Sequence, residues 1–166
     1  YGNKSFKRCL VMHSLSKRSS SPGLRSGFVA GDLHLMAGYD QYRTYHGGAM
    51  PIHVQHASIA AWSDEKHVIT ARQFYRKNFE SVYQVLNRQI EITIPDAGFY
   101  LWIKLPVDDI SMCKYLFAEK GVLLLPGQYL GRTLDGCNPG EKRVRIALVE
   151  SKERCIYAAE SILSVI

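Results

Sequence analysis

Residues 14–27, Ser14-Leu-Ser-Lys-Arg-Ser-Ser-Ser-Pro-Gly-Leu-Arg-Ser-Gly27, form a basic stretch rich in serine that also holds two glycines and a proline. Serine hydroxyls compete with the backbone for hydrogen bonds, and proline and glycine break regular elements, so this stretch reads as a loop. Two short apolar runs without helical period flank it, Cys9-Leu-Val-Met-His13 and Phe28-Val-Ala-Gly31. Each reads as a strand, and the first as a buried one. The fold therefore starts as two strands joined by a basic, serine-rich loop. Apolar residues at 46% and charged residues at 22% supply surface for a substantial core and exclude global disorder. A length of 166 residues allows one domain, or one and a half.

Asp32 can cap a helix running to about Tyr42, Gly47-Gly48 breaks the chain, and a second helix is expected from Pro51 to Trp62 with the proline in its first turn. The pattern then changes. Ala71, Tyr75, Phe79, Val82 and Leu86 recur at helical spacing, with Arg72, Lys77, Glu80 and Gln84 on the other faces, which predicts a long amphipathic helix capped by Ser63 or Asp64. A domain boundary is placed there, giving segments 1–62 and 63–166. Beyond it the sequence predicts strands at 99–103, 122–125 and 144–149 and helices from Ser111 to Lys120 and from Ser151 onward, the last with Ile156, Ala159, Leu163 and Ile166 as its apolar stripe. Strands covered by two or three helices make this segment a compact α+β layer.

The formal charge is +6, and its distribution is uneven: residues 1–50 hold seven basic groups against two acidic ones, and the remainder holds 14 against 13. A basic surplus gathered around a Ser/Gly/Pro loop suits a compact anion such as a phosphate better than a nucleic acid. The cysteines at 9, 113, 137 and 155 show no C-x-x-C pair and no histidine at ligand spacing, so free thiols and no metal site are expected. No apolar stretch reaches the ~20 residues of a membrane span, which points to a soluble, cytoplasmic protein.

Lys17 is the first candidate for chemistry. A lysine directly after a buried strand and near two arginines is expected to be partly buried, a setting that disfavours the ammonium, and a neutral amine can form a Schiff base. Ser14 and Ser16 offer hydroxyl donors, and the planar fork of Arg25 can hold a phosphate bidentately. The ordinary role for a lysine is a solvated surface position; the surrounding pattern argues against it here.

Residues 14–27 resemble the lysine segment of the class I/II aminotransferases, the fold-type I enzymes that use pyridoxal 5′-phosphate, whose pattern is S-x-S-K followed after seven intervening residues by R and then x-G. Val144-Arg-Ile-Ala147 is similar to the family's V-R-[LI]-[SA] strand, Ala97-Gly-Phe-Tyr-Leu-Trp102 to its G-x-F-x-W strand, and Val122-Leu-Leu-Leu-Pro-Gly127 to its V-x-V-x-P-G segment. The resemblance implies an α/β fold: the end of the large domain over 1–62 and the small α+β domain over 63–166. It also implies that Lys17 binds the cofactor as a Schiff base and acts in catalysis. Ser14, Ser16 and Arg25 would bind the cofactor's phosphate, and Arg145 the substrate carboxylate. Arg143 is expected on the opposite face of the strand from Arg145.

Within the family, the lysine segment is most similar to the N-succinyl-LL-2,6-diaminopimelate aminotransferases of lysine biosynthesis. An amino donor and 2-oxoglutarate or glutamate are then the small-molecule partners, in a homodimer, with no nucleic acid, membrane or metal involved. Family members carry much of their large domain ahead of the lysine, so the chain reads as a C-terminal portion that by itself binds cofactor weakly or not at all. The competing expectation is a regulatory domain that binds pyridoxal phosphate without transaminase activity.

Overall fold

Alternating short apolar runs and amphipathic segments fold into mixed strands and helices, seen in a computed structural model that describes residues 6–166. Lys4, counted in the basic surplus, lies outside them. The elements follow the order β1 (Leu10–Ser14), α1 (Leu15–Arg18), β2 (Gly27–Gly31), α2 (Leu33–Tyr45), α3 (Ile52–Ser63), α4 (Lys66–Leu86), β3 (Tyr100–Lys104), α5 (Asp109–Lys120), β4 (Leu125–Pro126), β5 (Arg143–Ala147) and α6 (Lys152–Leu163). They make two compact units that divide within α4, between Ala71 and Arg72.

In the first unit β1 and β2 pair antiparallel, Leu10 opposite Gly31 and Ser14 opposite Gly27. The segment between them is not the irregular loop that its composition predicts: it holds the helical turn α1 and a 3-10 turn at Pro22–Leu24. Leu15 is the cause. Its side chain is fully buried, its N–H donates to the Ser26 carbonyl, and its own carbonyl accepts from Ser19 and Ser21, so one apolar anchor organises a polar stretch. The expected burial of β1 is not found, since Val11 and Met12 are exposed; a two-stranded ribbon gives a strand one neighbour and covers neither face.

Asp32 caps α2 as expected, its carboxylate accepting from the His34 and Leu35 N–H groups at 2.8 and 3.4 Å, and the helix runs on to Tyr45. Pro51 occupies the cap of α3 rather than its first turn. Of the two caps offered for α4, Asp64 serves: its carboxylate accepts from the N–H groups of Lys66 and His67.

The second unit is built on a three-stranded antiparallel sheet in the order β3-β5-β4. Leu101 and Ile103 of β3 stand opposite Ile146 and Val144 of β5, and this apolar face forms one core with Phe79, Val82 and Leu86 of α4, Met112 and Leu116 of α5, and Ala159 and Ile162 of α6. The strand expected at 122–125 is found only at Leu125–Pro126, the two residues that pair with β5. Helix α5 starts two residues before Ser111, because Asp108 accepts from the Ser111 N–H and so is the cap. The buried stripe of α6 runs through Cys155, Ala159 and Ile162, with Ile156, Leu163 and Ile166 only partly buried beside it. No helix among the described residues is long and apolar enough to cross a membrane.

Candidate active site

Lys17 sits in α1, one residue from the end of that four-residue helix, in the first unit. Its side chain is exposed, not partly buried as the sequence suggests. A helix of one turn has one face inward, and Leu15 takes it. Ser14 ends β1 at the cap of α1 without bonding a helix N–H, and Ser16 is half-buried between Leu15 and Lys17. Arg25 closes the following turn in the left-handed conformation, φ 48°, and its guanidinium donates to the Pro22 carbonyl at 2.8 Å. The stretch from β1 to β2 thus carries an amine, two hydroxyls and a guanidinium.

The second arginine beside Lys17 is already engaged. Arg18 donates to the carbonyls of Ala61 at 2.7 Å and Asp64 at 3.3 Å, pairs with the Glu65 carboxylate, and lies 5.1 Å over the Trp62 ring. Beside it the Ser19 hydroxyl is 2.8 Å from Nε2 of His67, whose Nδ1 pairs with the Asp64 carboxylate. Hydrogen bonds from His67, first through its ring and then through its N–H, hold the Asp64 carboxyl below its ordinary pKa. Sequence reasoning missed this cluster. Only the Arg18 charge was visible in it; Trp62, Asp64 and His67 are distant in the chain and look like ordinary helix-end residues.

Arg145 belongs to the second unit. It stands opposite Trp102 in the β3–β5 ladder and lies 4.6 Å over the ring of Tyr100, which packs in turn on Phe99 at 4.2 Å. Arg143 is on the same face, not the opposite one. Residues two apart on a strand share a face, and Val144 and Ile146 are the buried pair between and beside the arginines. What singles out Arg145 is the aromatic platform rather than the direction it points.

The profile of the family described as aminotransferase class I and II matches residues 3–162. The chain belongs to this family. An LL-diaminopimelate aminotransferase of Nitratidesulfovibrio vulgaris is 32% identical over 158 residues, 92% of this chain and 39% of that protein. The crystal structure of an aminotransferase from Neisseria meningitidis is 49% identical with a TM-score of 0.88, over 97% of this chain and 41% of that one. A probable N-succinyldiaminopimelate aminotransferase from Thermus thermophilus is 28% identical with a TM-score of 0.84, over 99% and 44%. The chain thus spans about two fifths of the length of the relatives it matches. Class I and II aminotransferases depend on pyridoxal phosphate, and this chain has their fold-type I architecture over nearly its whole length.

The donor set on the β1–β2 turn fits such a cofactor. An exposed primary amine can take a carbonyl carbon, and two hydroxyls with an exposed guanidinium that donates to the Pro22 carbonyl can take a phosphate dianion.

Proposed function

We propose that Lys17 holds pyridoxal phosphate in an aminotransferase that exchanges the amino group of N-succinyl-LL-2,6-diaminopimelate with 2-oxoglutarate, a step of lysine biosynthesis. The observation that supports this reading is that Ser14, Ser16, Lys17 and Arg25 all lie at or between the facing ends of β1 and β2. Ser14 and Ser16 donate hydroxyl hydrogen bonds to the phosphate, and Arg25 adds a charge-assisted fork by exchanging the Pro22 carbonyl for phosphate oxygens. When bound, the cofactor supplies an electron sink for the negative charge that develops at the substrate Cα. Lys17 provides the amine that holds it and, once released, takes the proton from Cα and returns it on the other side of the exchange. Arg145, flattened on Tyr100, orients the α-carboxylate through its remaining donors. Residues 1–62 belong in this reading to the large domain, residues 63–166 form the small domain, and the protein works as a homodimer.

The substrate assignment draws on the diaminopimelate-handling relatives and on the basic surplus near Lys17, which suits dicarboxylates. Two measurements on the full-length protein test the reading. Pyridoxal phosphate should give a visible absorbance band that Lys17→Ala abolishes; a band unchanged in the variant assigns the cofactor to another lysine. In a panel of amino donors with 2-oxoglutarate, N-succinyl-LL-2,6-diaminopimelate should show the highest kcat/KM. A clear preference for unsuccinylated LL-diaminopimelate, or for an unrelated amino acid, overturns the substrate.

A further inference from the structure

The turn that carries Lys17 is too short to hold itself. A four-residue helix lies far below the length at which helical hydrogen bonding sustains itself, so the position of Lys17 has to be fixed by neighbours. One is Leu15, buried two residues before it. The others follow it directly, and they are polar. The Arg18 side chain is only 7% exposed, although arginine is seldom buried without a partner, and its fork is spent on the end of α3. Ala61 lies in the last turn of α3 and Asp64 just past it, and the last carbonyls of a helix have no acceptor role inside it. Arg18 donates to both, pairs with Glu65 at the start of the next helix, and rests on Trp62. That indole reaches the ribbon that launches the turn, 5.6 Å from His13 of β1 and 5.2 Å from Phe28 of β2.

A second tie runs in parallel. Ser19 closes α1 through its N–H to the Leu15 carbonyl, and its hydroxyl meets His67 Nε2 at 2.8 Å. The Asp64 carboxylate on Nδ1 sets the ring and at the same time caps α4. The two residues that follow Lys17 are therefore bolted to the α3–α4 junction by one linked side-chain network, in which Arg18 also donates to the Ser19 hydroxyl at 3.4 Å and both arms reach Asp64, while Lys17 itself stays exposed. We infer that Arg18 and the Ser19–His67–Asp64 chain are positioning residues for Lys17, which hold its backbone so that the amine meets the cofactor carbonyl in a reactive geometry. This rests on the proposed role of Lys17. A misplacement of about 1 Å at such a site can slow a reaction by about a hundredfold.

The test is a competition within one molecule. The full-length protein is mixed with pyridoxal phosphate, quenched with borohydride at short times, and the modified lysines are quantified by peptide mass spectrometry, with the exposed Lys104 of β3 as internal reference. Wild type should modify Lys17 far faster than Lys104. Arg18→Lys, which keeps the charge and loses the fork, and Ser19→Ala, which cuts the link to His67, should each lower the Lys17-to-Lys104 ratio about tenfold or more, with melting temperature and circular dichroism recorded alongside. Ser19→Thr, which restores a hydroxyl, should recover the ratio. If Arg18→Lys unfolds the protein, the Ser19→Ala and Ser19→Thr pair decides. A ratio unchanged in folded variants overturns the positioning role. A wild type with no preference for Lys17 overturns the reading of Lys17 itself, which is a different failure.

Discussion

Arg145 and Cys113 show how surroundings set what one side chain can do. Stacked on Tyr100, the Arg145 guanidinium has the planar fork that the proposed carboxylate contact requires, and lysine can reproduce neither the stack nor the fork. Arg145→Lys is expected to raise KM for carboxylate substrates about 10- to 100-fold, the loss of a charge-assisted hydrogen bond of about 1.5–3 kcal/mol, with a smaller effect on kcat. Steady-state kinetics on the full-length protein check this, and unchanged KM values would remove the assigned role. The thiol of Cys113 is pushed up to about 11, first by burial and then by the carboxylates of Asp109 and Asp108, and burial likewise raises that of Cys155. Cys137 is exposed. Iodoacetamide at mildly alkaline pH should therefore label Cys137 in the native protein and reach Cys113 and Cys155 only after unfolding. Thiol labelling followed by mass spectrometry reads this directly.

At the scale of elements, two buried polar groups join segments that propensity alone would leave loose. Asn78, on the inner face of α4, donates to the carbonyls of Leu148 and Glu150 at 3.1 and 2.9 Å and so fastens the β5–α6 turn. Asn78→Leu fills similar volume but takes the amide donor away from the Leu148 carbonyl and leaves the Glu150 carbonyl to the weak thiol donor of Cys155, and should cost about 1–3 kcal/mol in urea unfolding. Asp109, fully buried at the start of α5, accepts from the side chain of Gln128 at 2.7 Å and from the N–H groups of Gln128 and Lys142 at 3.1 and 3.0 Å. Burial acts to raise its pKa, and the Gln128 and Lys142 bonds outweigh it, so the folded value lies below the ordinary one. A carboxyl depressed by folding contributes stability that is present above the unfolded pKa of about 3.9 and is lost as pH falls through the folded value. Asp109→Asn should thus be destabilised at neutral pH and show a shallower acid limb than wild type, measured by urea midpoints across pH. Two glycines complete this joint: a Cβ on Gly140 would lie 2.0 Å from the Gly127 carbonyl oxygen, and one on Gly127 2.3 Å from that of Gly140. The dipeptides Pro126-Gly127 and Pro139-Gly140 mark turns in the sequence, but nothing local says that the two turns touch.

Across the described residues apolar burial is unevenly distributed. The sheet, α4, α5 and α6 share a contiguous apolar core in the second unit, whereas in the first unit α2 buries none of its residues and α3 only Ser58. Protection from hydrogen exchange follows buried, cooperative structure. Amides of β3, β5 and α6 should therefore exchange slowest, and those of α2 and α3 earlier, well before global unfolding; uniform protection across the chain would contradict this distribution.

The sequence by itself determined the order of the longer strands and helices, the caps at Asp32 and Ser151, the choice of Ser63 or Asp64 as the cap of α4, and a lysine segment whose residues carry the resemblance to a family. These are local properties: hydrophobic period, cap chemistry and short spacings are set by neighbours along the chain. Tertiary structure decided that β1 is exposed, that Leu15 draws a helical turn out of a serine-rich loop, that Arg145 lies on Tyr100, and that Arg18 and Ser19 reach the α3–α4 junction. Each of these depends on contacts between residues far apart in sequence, where burial and hydrogen-bond partners are fixed by packing in space and leave no periodic trace in the chain.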